Sequence, residues 1–489
     1  MSQSLLTTTK LVTGFLESWE QFAQFDRDAI NRLCRLAAAK DPEVNAAATR
    51  ALFTNLIEAL NDSFDPRAAR AYDLVMAQII DFFRREESGK GIHEALNSFG
   101  LENEASLLAR RVRLRSSETR IVPEPIQKAI FLTRVTIGAD VAVTSVLMRR
   151  FRALAPHAEQ VLIGNRQKLS EVFGSELRLR IRDLKYSRGG DVITRLSSWL
   201  ALQAEINEEI NHLDQSQYAI IDPDSRLTQL GLLPVTQGDN SYFHFESRSY
   251  RPKTGYSLAT LASEWFAEVF ENPHQSRSAT FPSIAVDGKF VEMATSLINQ
   301  IRQNPSDRVV VVSLGVGGNT EKRISQQFEA MLLEHLAGQS KLIIDEGADD
   351  SEAAIVKAHA EMLQRSGKVI RRMQESDADT SPIDGHLDIL IWNGGIGSMS
   401  ALIGASDLYV GYDSAGQHIA AAQRIPLLTL FVNNSTPRFA QRWRPTGEGP
   451  IEVLLVNGKE RERLNEAALF EQVVEFLRAL LNPQTSSVT

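Results

Sequence analysis

The sequence predicts an α/β protein in which an all-helical N-terminal region precedes two doubly wound units. Three observations lead there. Over roughly the first 120 residues, apolar side chains recur at helical spacing, as in Leu52, Leu56, Ile57 and Leu60, then Val75, Ile79, Ile80 and Phe83. From Ala129 onward, short apolar runs alternate with helix-like stretches, the pattern of a parallel sheet with crossover helices. The alternation restarts with the buried-type run Val309 to Leu314, just after Asn304-Pro305, a plausible hinge. The expected domains are therefore 1–122 (helical), 126–303 and 304–489.

Taken in order, the helical region should hold about five helices. They are separated at Lys40-Asp41-Pro42, Asp62 to Pro66 and Ser88 to Gly91, each of which supplies turn or capping chemistry. The linker Ile121-Val-Pro-Glu-Pro125 carries two prolines that disfavour helix, so it reads as extended. In the middle unit, strands are expected near Ala129–Val135, Glu159–Ile163, Leu177–Arg182 and Tyr218–Ile221. Helices are expected at Val141–Leu154, Gln167–Phe173, Leu258–Phe270 and Val291–Arg302. Leu177–Arg182 alternates strictly, which places its arginines on a solvated strand face. In the last unit, strands are expected at Val309–Leu314, Lys341–Ile344, Leu387–Trp392, Leu408–Gly411, Leu427–Val432 and Ile451–Leu455. The helices between and after them are Lys322–Leu336, Glu352–Ser366, Met399–Ala405, Gln417–Ala422 and Glu466–Leu481, and the tail after Pro483 should fray.

Composition narrows the function classes. The chain has 489 residues, 43% hydrophobic and 23% charged, which excludes a disordered chain and allows two or three domains. With 53 basic against 61 acidic residues the net charge is −8, so nothing global favours nucleic acid. The single cysteine, Cys34, excludes an intramolecular disulfide and fits a reducing compartment. No apolar run approaches the ~20 residues that span a bilayer. The expectation is a cytoplasmic protein with no stable membrane insertion. No ligand spacing suggests a metal site.

Three stretches carry chemistry. Ser313-Leu-Gly-Val-Gly-Gly-Asn-Thr-Glu-Lys-Arg323 is a strand end, a glycine-rich turn and a helix start. Backbone amides at Gly315, Gly317 and Gly318 could approach a phosphate, with Lys322 or Arg323 adding charge. Asp407 to Ala422 contains a strand end at Asp413, the small turn Ser414-Ala415-Gly416, and His418 on the helix that follows. Asp413 also sits where an N-cap is expected. Thr133-Arg-Val-Thr-Ile-Gly-Ala-Asp140 places an acid just beyond a parallel strand, positioned as a general base or as a helix cap.

These stretches resemble glycosyltransferase family 9, the ADP-heptose:lipopolysaccharide heptosyltransferases. The C-terminal stretch is similar to the family signature, with a histidine five positions after the acid and small residues following. Phe131 to Val141 resembles the family's opening strand and Gly–Asp turn, and the turn before Lys322 resembles its phosphate-binding strand end. The likeness spans about residues 126–480 and leaves the helical region outside it. It implies a GT-B fold of two Rossmann-like domains, a nucleotide diphosphate sugar as co-substrate, inversion at the anomeric carbon, and no required metal or cofactor. Carried over by position, Asp140 matches the base and Lys322 the lysine at the leaving diphosphate. Asp349 matches an acid near the donor ribose, Asp413, Ser414, Ala415 and Gly416 the turn under the diphosphate, and His418 the motif histidine. Three positions depart from the pattern: Ala139 intervenes between Gly138 and Asp140, the second motif's glycine follows Ala415, and Ile324 replaces the usual tryptophan.

The expected function is thus an inverting glycosyltransferase acting on a glycan, lipid-linked glycan or protein acceptor. The alternative is a non-catalytic GT-B protein. The helical region would support packing, a homo-oligomer or a partner. Its arginines Arg110, Arg111, Arg113 and Arg115 read as a solvated helix face.

Overall fold

The computed structural model describes residues 3–116, 126–187, 189–271, 280–317, 319–347, 349–378, 380–434, 436–456 and 465–481. The linker 121–125, Gly318 and the tail after Pro483 lie outside the described residues.

The N-terminal region is helical, as expected. It contains α1 (Gln3–Phe22), α2 (Arg27–Ala37), α3 (Pro42–Arg50), α4 (Glu58–Asp62), α5 (Pro66–Phe83), α6 (Lys90–Ser98) and α7 (Glu104–Ser116). A π-helical stretch, Ala51–Ile57, joins α3 and α4 into one rod. The breaks work as caps. Asp41 and Asp65 each accept backbone amides at a helix start, and Pro42 and Pro66 occupy the first turn, where no amide partner is needed.

The first sheet contains β1 (Lys128–Leu132), β2 (Glu159–Gly164), β3 (Leu179–Asp183), β4 (Tyr218–Asp222) and β5 (Tyr242–His244). Its order is β3-β2-β1-β4-β5, and its paired strands are parallel. Between and after them run α8 (Ile137–Ala139), α9 (Ser145–Leu154), α10 (Arg166–Phe173), α11 (Val192–Ile210), α12 (Leu258–Phe270) and α13 (Gly288–Ile301). The second sheet contains β6 (Val309–Ser313), β7 (Lys341–Asp345), β8 (Ile370–Gln374), β9 (Ile389–Asn393), β10 (Leu408–Tyr412), β11 (Leu427–Val432) and β12 (Ile451–Val456), in the order β12-β11-β10-β6-β7-β9-β8. Its helices are α14 (Gln326–Ala337), α15 (Asp350–Arg365), α16 (Ile396–Ala405), α17 (Ala415–Ala422), α18 (Pro437–Trp443) and α19 (Glu466–Leu481). The sequence reading did not anticipate α11, β8 or α18.

Strand alternation sets the layers. On β1, Ala129 and Phe131 face a core shared with the second sheet, while Ile130 and Leu132 face the opposite side. That opposite side is covered by the helical region. Phe15, Leu52, Leu56, Val75 and Ile79 form one apolar cluster with Ile130, Val161, Ile220 and Trp199. The helical region is therefore the outer layer of the first sheet and shares its core. A further cluster fills the far face of the second sheet, under α14, α15 and α19.

The helix-face reading of the α7 arginines is corrected here. Arg110 and Arg111 are buried. Arg110 pairs with Asp239, and Arg111 pairs with Asp73 and Glu246. Arg115 joins the same acids. These pairs bolt α7 to α5 and to the segment around β5, so Arg110 and Arg111 form an internal seam, whereas Arg113 is exposed, as a solvated helix face requires. By contrast, Arg180 and Arg182 stand on edge strand β3 and pair with Glu159 and with Glu205, Glu208 and Glu209, the last three on α11.

Candidate active site

Open parallel sheets bind ligands beyond the carboxyl ends of their strands, where the strand order reverses. In the first sheet that point lies between β1 and β4, and in the second between β6 and β10. The stretch ending at Asp140 follows β1. The glycine turn follows β6, and Asp413 follows β10. All three stretches singled out by sequence thus stand at reversal points.

Asp140 is 1% exposed and lies where α8 passes into a π-helical turn, Asp140–Thr144. A π turn takes up one extra residue within a helix. Within and beyond it, Val143, Val146 and Leu147 face the core. The carboxylate accepts the Arg134 amide at 2.7 Å, the Thr144 hydroxyl at 2.8 Å and the Thr133 hydroxyl. These bonds favour the ionised form. Burial outweighs them and lifts the Asp140 pKa to about 6.

The glycine-rich turn already holds an anion. The amides of Val316 and Gly317 donate to the buried Glu352 carboxylate at 2.7 and 3.1 Å. Gly315 lies against the same carboxylate, and Gly317 takes the left-handed conformation at φ +62°. Lys322 and Arg323 diverge. Lys322 reaches across the reversal point to Asp413 at 3.2 Å and lies over the Phe439 ring. Arg323 turns inward instead. It binds buried Glu329 through two contacts of 2.8 Å and donates to the Leu314 carbonyl. Tyr412 and His359 also hold Glu329. Arg323 is thereby engaged inside the turn, on Glu329 and the Leu314 carbonyl.

Asp413 does not cap α17. It accepts from Lys322 and, at 2.7 Å, from Gln417, and burial pushes its pKa up against the pull of Lys322. Ser414 is the N-cap residue, and its side chain makes no capping hydrogen bond. Ala415 begins the helix, and Gly416 packs over the Tyr409 ring edge. The two sheets meet at this spot, since a Cβ on Gly138 would lie 2.9 Å from the Ala415 Cα. His418 is buried against Trp443, and burial lowers its pKa to about 4, so it is a neutral imidazole at pH 7. Asp349 stands apart from this group. It caps α15 by accepting the Ser351 and Glu352 amides and the Ser351 hydroxyl.

Asp140 and Ala415 line one cavity of about 690 Å³, together with Thr133, Asn165, Lys168, Lys185 and Tyr186. An acid of raised pKa and an uncapped helix start thus share a chamber between the sheets. Lys322 approaches the far side of that helix start through Asp413. Sequence reading missed Glu352, Thr144, Arg134 and Trp443. The Arg134 guanidinium lies 5.6 Å from the Trp443 ring centre, and burial lowers its pKa to about 10. Among the described residues, no group of three or more His, Cys, Asp or Glu side chains could hold a metal ion, and no helix is long and apolar enough to cross a membrane.

Residues 394–471 match the model of glycosyltransferase family 9 (heptosyltransferase). Over that stretch the chain is similar to the family. The solved structure of the glycosyl transferase family 9 protein from Veillonella parvula is 15% identical, with a TM-score of 0.52 over 75% of this chain and 99% of that one. This likeness shows the fold, and the GT-B architecture expected from the sequence is the one observed. The ADP-heptose lps heptosyltransferase II of E. coli aligns at 13% identity and TM-score 0.46, over 73% of this chain and all of that one. The E. coli heptosyltransferase WaaC with ADP aligns at 13% and 0.47, over 71% and 99%. No curated protein matches the sequence. The match to the family 9 signature supports a glycosyltransferase.

Proposed function

We propose that the protein is an inverting, metal-independent glycosyltransferase. It would move a sugar from a nucleotide diphosphate sugar, ADP-heptose or similar, to a glycan, lipopolysaccharide or protein acceptor. The observation that carries this reading is the shared cavity, in which a buried acid faces the uncapped start of α17. Inverting transfer needs a base at the acceptor hydroxyl and positive or dipolar stabilisation of the departing diphosphate.

Asp140 fits the first role. Two carboxylate oxygens offer about four acceptor positions, and three are filled by Thr133, Arg134 and Thr144. The remaining one is free for an acceptor hydroxyl. At pH 7 a group titrating near 6 is mostly ionised, yet basic enough to take the proton as the new glycosidic bond forms. The C–O bond to the leaving diphosphate breaks on the opposite face, and its charge passes to the nucleotide. The α17 amides and Lys322 fit the second role. Lys322 is held by Asp413 and would exchange that carboxylate for the diphosphate.

The test is a thermal-shift titration with ADP, UDP and GDP, on wild type and on Lys322→Ala. One nucleoside diphosphate should stabilise the wild type by mass action and lose its effect in the variant. Product analysis with the matching nucleotide sugar should show an inverted anomer, and a chelator should leave turnover unchanged. The second reading, a non-catalytic GT-B protein, draws on the resident acids: Glu352 fills the glycine turn, and Asp413 holds Lys322. If no nucleoside diphosphate stabilises the protein, that reading replaces the first.

A further inference from the structure

The loop between α4 and α5 leaves its own layer. Phe64 is the only described residue of the helical region in the core shared by the two sheets, where it is 1% exposed. Its backbone takes φ +49°, a conformation rare for an aromatic residue, which turns the ring away from the helices and into the cleft. There it packs edge-on against Phe439 and Trp443, both on α18. Arg438 locks the loop from the other side. It donates to the Phe64 carbonyl at 2.7 Å and lies 3.7 Å from the Asp65 carboxylate.

The two rings that Phe64 touches belong to the site. Phe439 lies under the Lys322 ammonium, 5.6 Å from ring centre to nitrogen. Trp443 lies between His418 and Arg134. Asp62, the last residue of α4, lies within electrostatic reach of Lys322, Arg226 and Arg248. A lysine held by one carboxylate and one ring keeps its place only while the ring keeps its own.

We propose that Phe64 is a positioning residue. The helical region closes one wall of the cleft and, through the Phe439 ring, fixes where the Lys322 ammonium stands to meet an anionic leaving group. The role given to Lys322 rests on the proposed function, whereas the mechanical link from Phe64 to Lys322 stands without it.

The test is amine trace-labelling of the full-length protein with an acylating reagent, read by peptide mass spectrometry. The proteins are wild type, Phe64→Ala, Phe64→Leu and Arg438→Ala. Lys322 should label several-fold faster in Phe64→Ala, and Phe64→Leu should restore most of the protection. Arg438→Ala, which keeps the ring and frees only the loop, should shift Lys322 in the same direction by less, and it serves if Phe64→Ala does not fold. Lys128, buried with Glu209 beneath the first sheet, should not change. Unchanged labelling at Lys322 overturns the proposal. So does a parallel rise at Lys128 and Lys322, which would mean general loosening. A nucleotide arm separates the two claims. If wild type binds no nucleoside diphosphate, the proposed function falls while the labelling still decides the link. If wild type binds one and Phe64→Ala binds it equally well, the positioning role is overturned.

Discussion

The corner after β1 and the corner after β6 occupy equivalent places in the two sheets and solve opposite electrostatic problems. After β1, an acid is buried among neutral donors and its pKa rises to about 6. After β6, both cations and the turn amides have a resident acid. Lys322 has Asp413, Arg323 has Glu329, and the turn amides have Glu352. Paired charges are what folding alone would select, because an unpaired buried charge is costly. An acid kept against its solvation preference is not explained that way, which makes Asp140 the stronger functional pointer. The β6 corner is built to hold its shape, and only Lys322, which is partly exposed, can change partners.

The largest expected effect breaks the comparison at the first corner. Asp140→Asn preserves shape and removes the proposed base, so turnover should fall by roughly 10²–10⁴-fold. The stabilisation by a nucleoside diphosphate should persist, because the groups proposed to bind the donor lie on the other sheet. Paired rate and thermal-shift measurements check this. A variant that keeps its rate removes Asp140 from the mechanism.

The next effect separates neighbours at the second corner. Arg323→Ala strands the buried Glu329 and should cost about 3–5 kcal/mol in denaturant unfolding. Lys322→Ala releases a partly exposed pair and should cost no more than about 1 kcal/mol. Equal losses would mean that Lys322 also serves mainly to build the turn.

This contrast shows what the sequence could reveal. Lys322 and Arg323 are adjacent and alike, and only a glutamate six residues on, brought round by α14, sends one inward. The strands were legible where both faces are buried, as in Val309–Ser313, since such strands are continuous apolar runs. Edge strand β8 was not legible, because two adjacent arginines interrupt its apolar pattern and it buries only Met373. The seven-residue α18 is too short to show a period. Asp140, Asp413 and His418 carried a local motif. Glu352 and Phe64 act only through contacts distant in sequence, and no spacing announces them.

A third prediction uses pH to sharpen the contrast. The rate constant kcat/KM should rise with pH through an apparent pKa near 6, as Asp140 ionises. Stability carries the opposite sign. The folded pKa lies above the unfolded value, so the contribution of Asp140 is full below about pH 4 and is lost as pH rises through about 6. Asp140→Asn should therefore match wild type near pH 4 and exceed it at pH 7.5, by at most about 3 kcal/mol. Urea unfolding at the two pH values checks the sign. A constant difference would mean that Asp140 titrates at an ordinary carboxylate pKa.

The smallest effect concerns an acid near the second corner whose structural use is visible. Asp349 caps α15 with three hydrogen bonds, from the Ser351 amide and hydroxyl and the Glu352 amide. The cap also steadies Glu352, whose carboxylate closes the glycine turn. Asp349→Ala should lower the stability slightly, as the loss of an exposed N-cap does. Asp349→Ser should recover most of it, since a serine hydroxyl caps almost as well. If capping is its whole role, calorimetric titration with the stabilising nucleoside diphosphate should give one affinity for wild type and both variants. If both variants lose affinity while Asp349→Ser regains stability, the carboxylate contacts the nucleotide itself. The β6 corner would then contribute an acid to the ligand as well as a lysine.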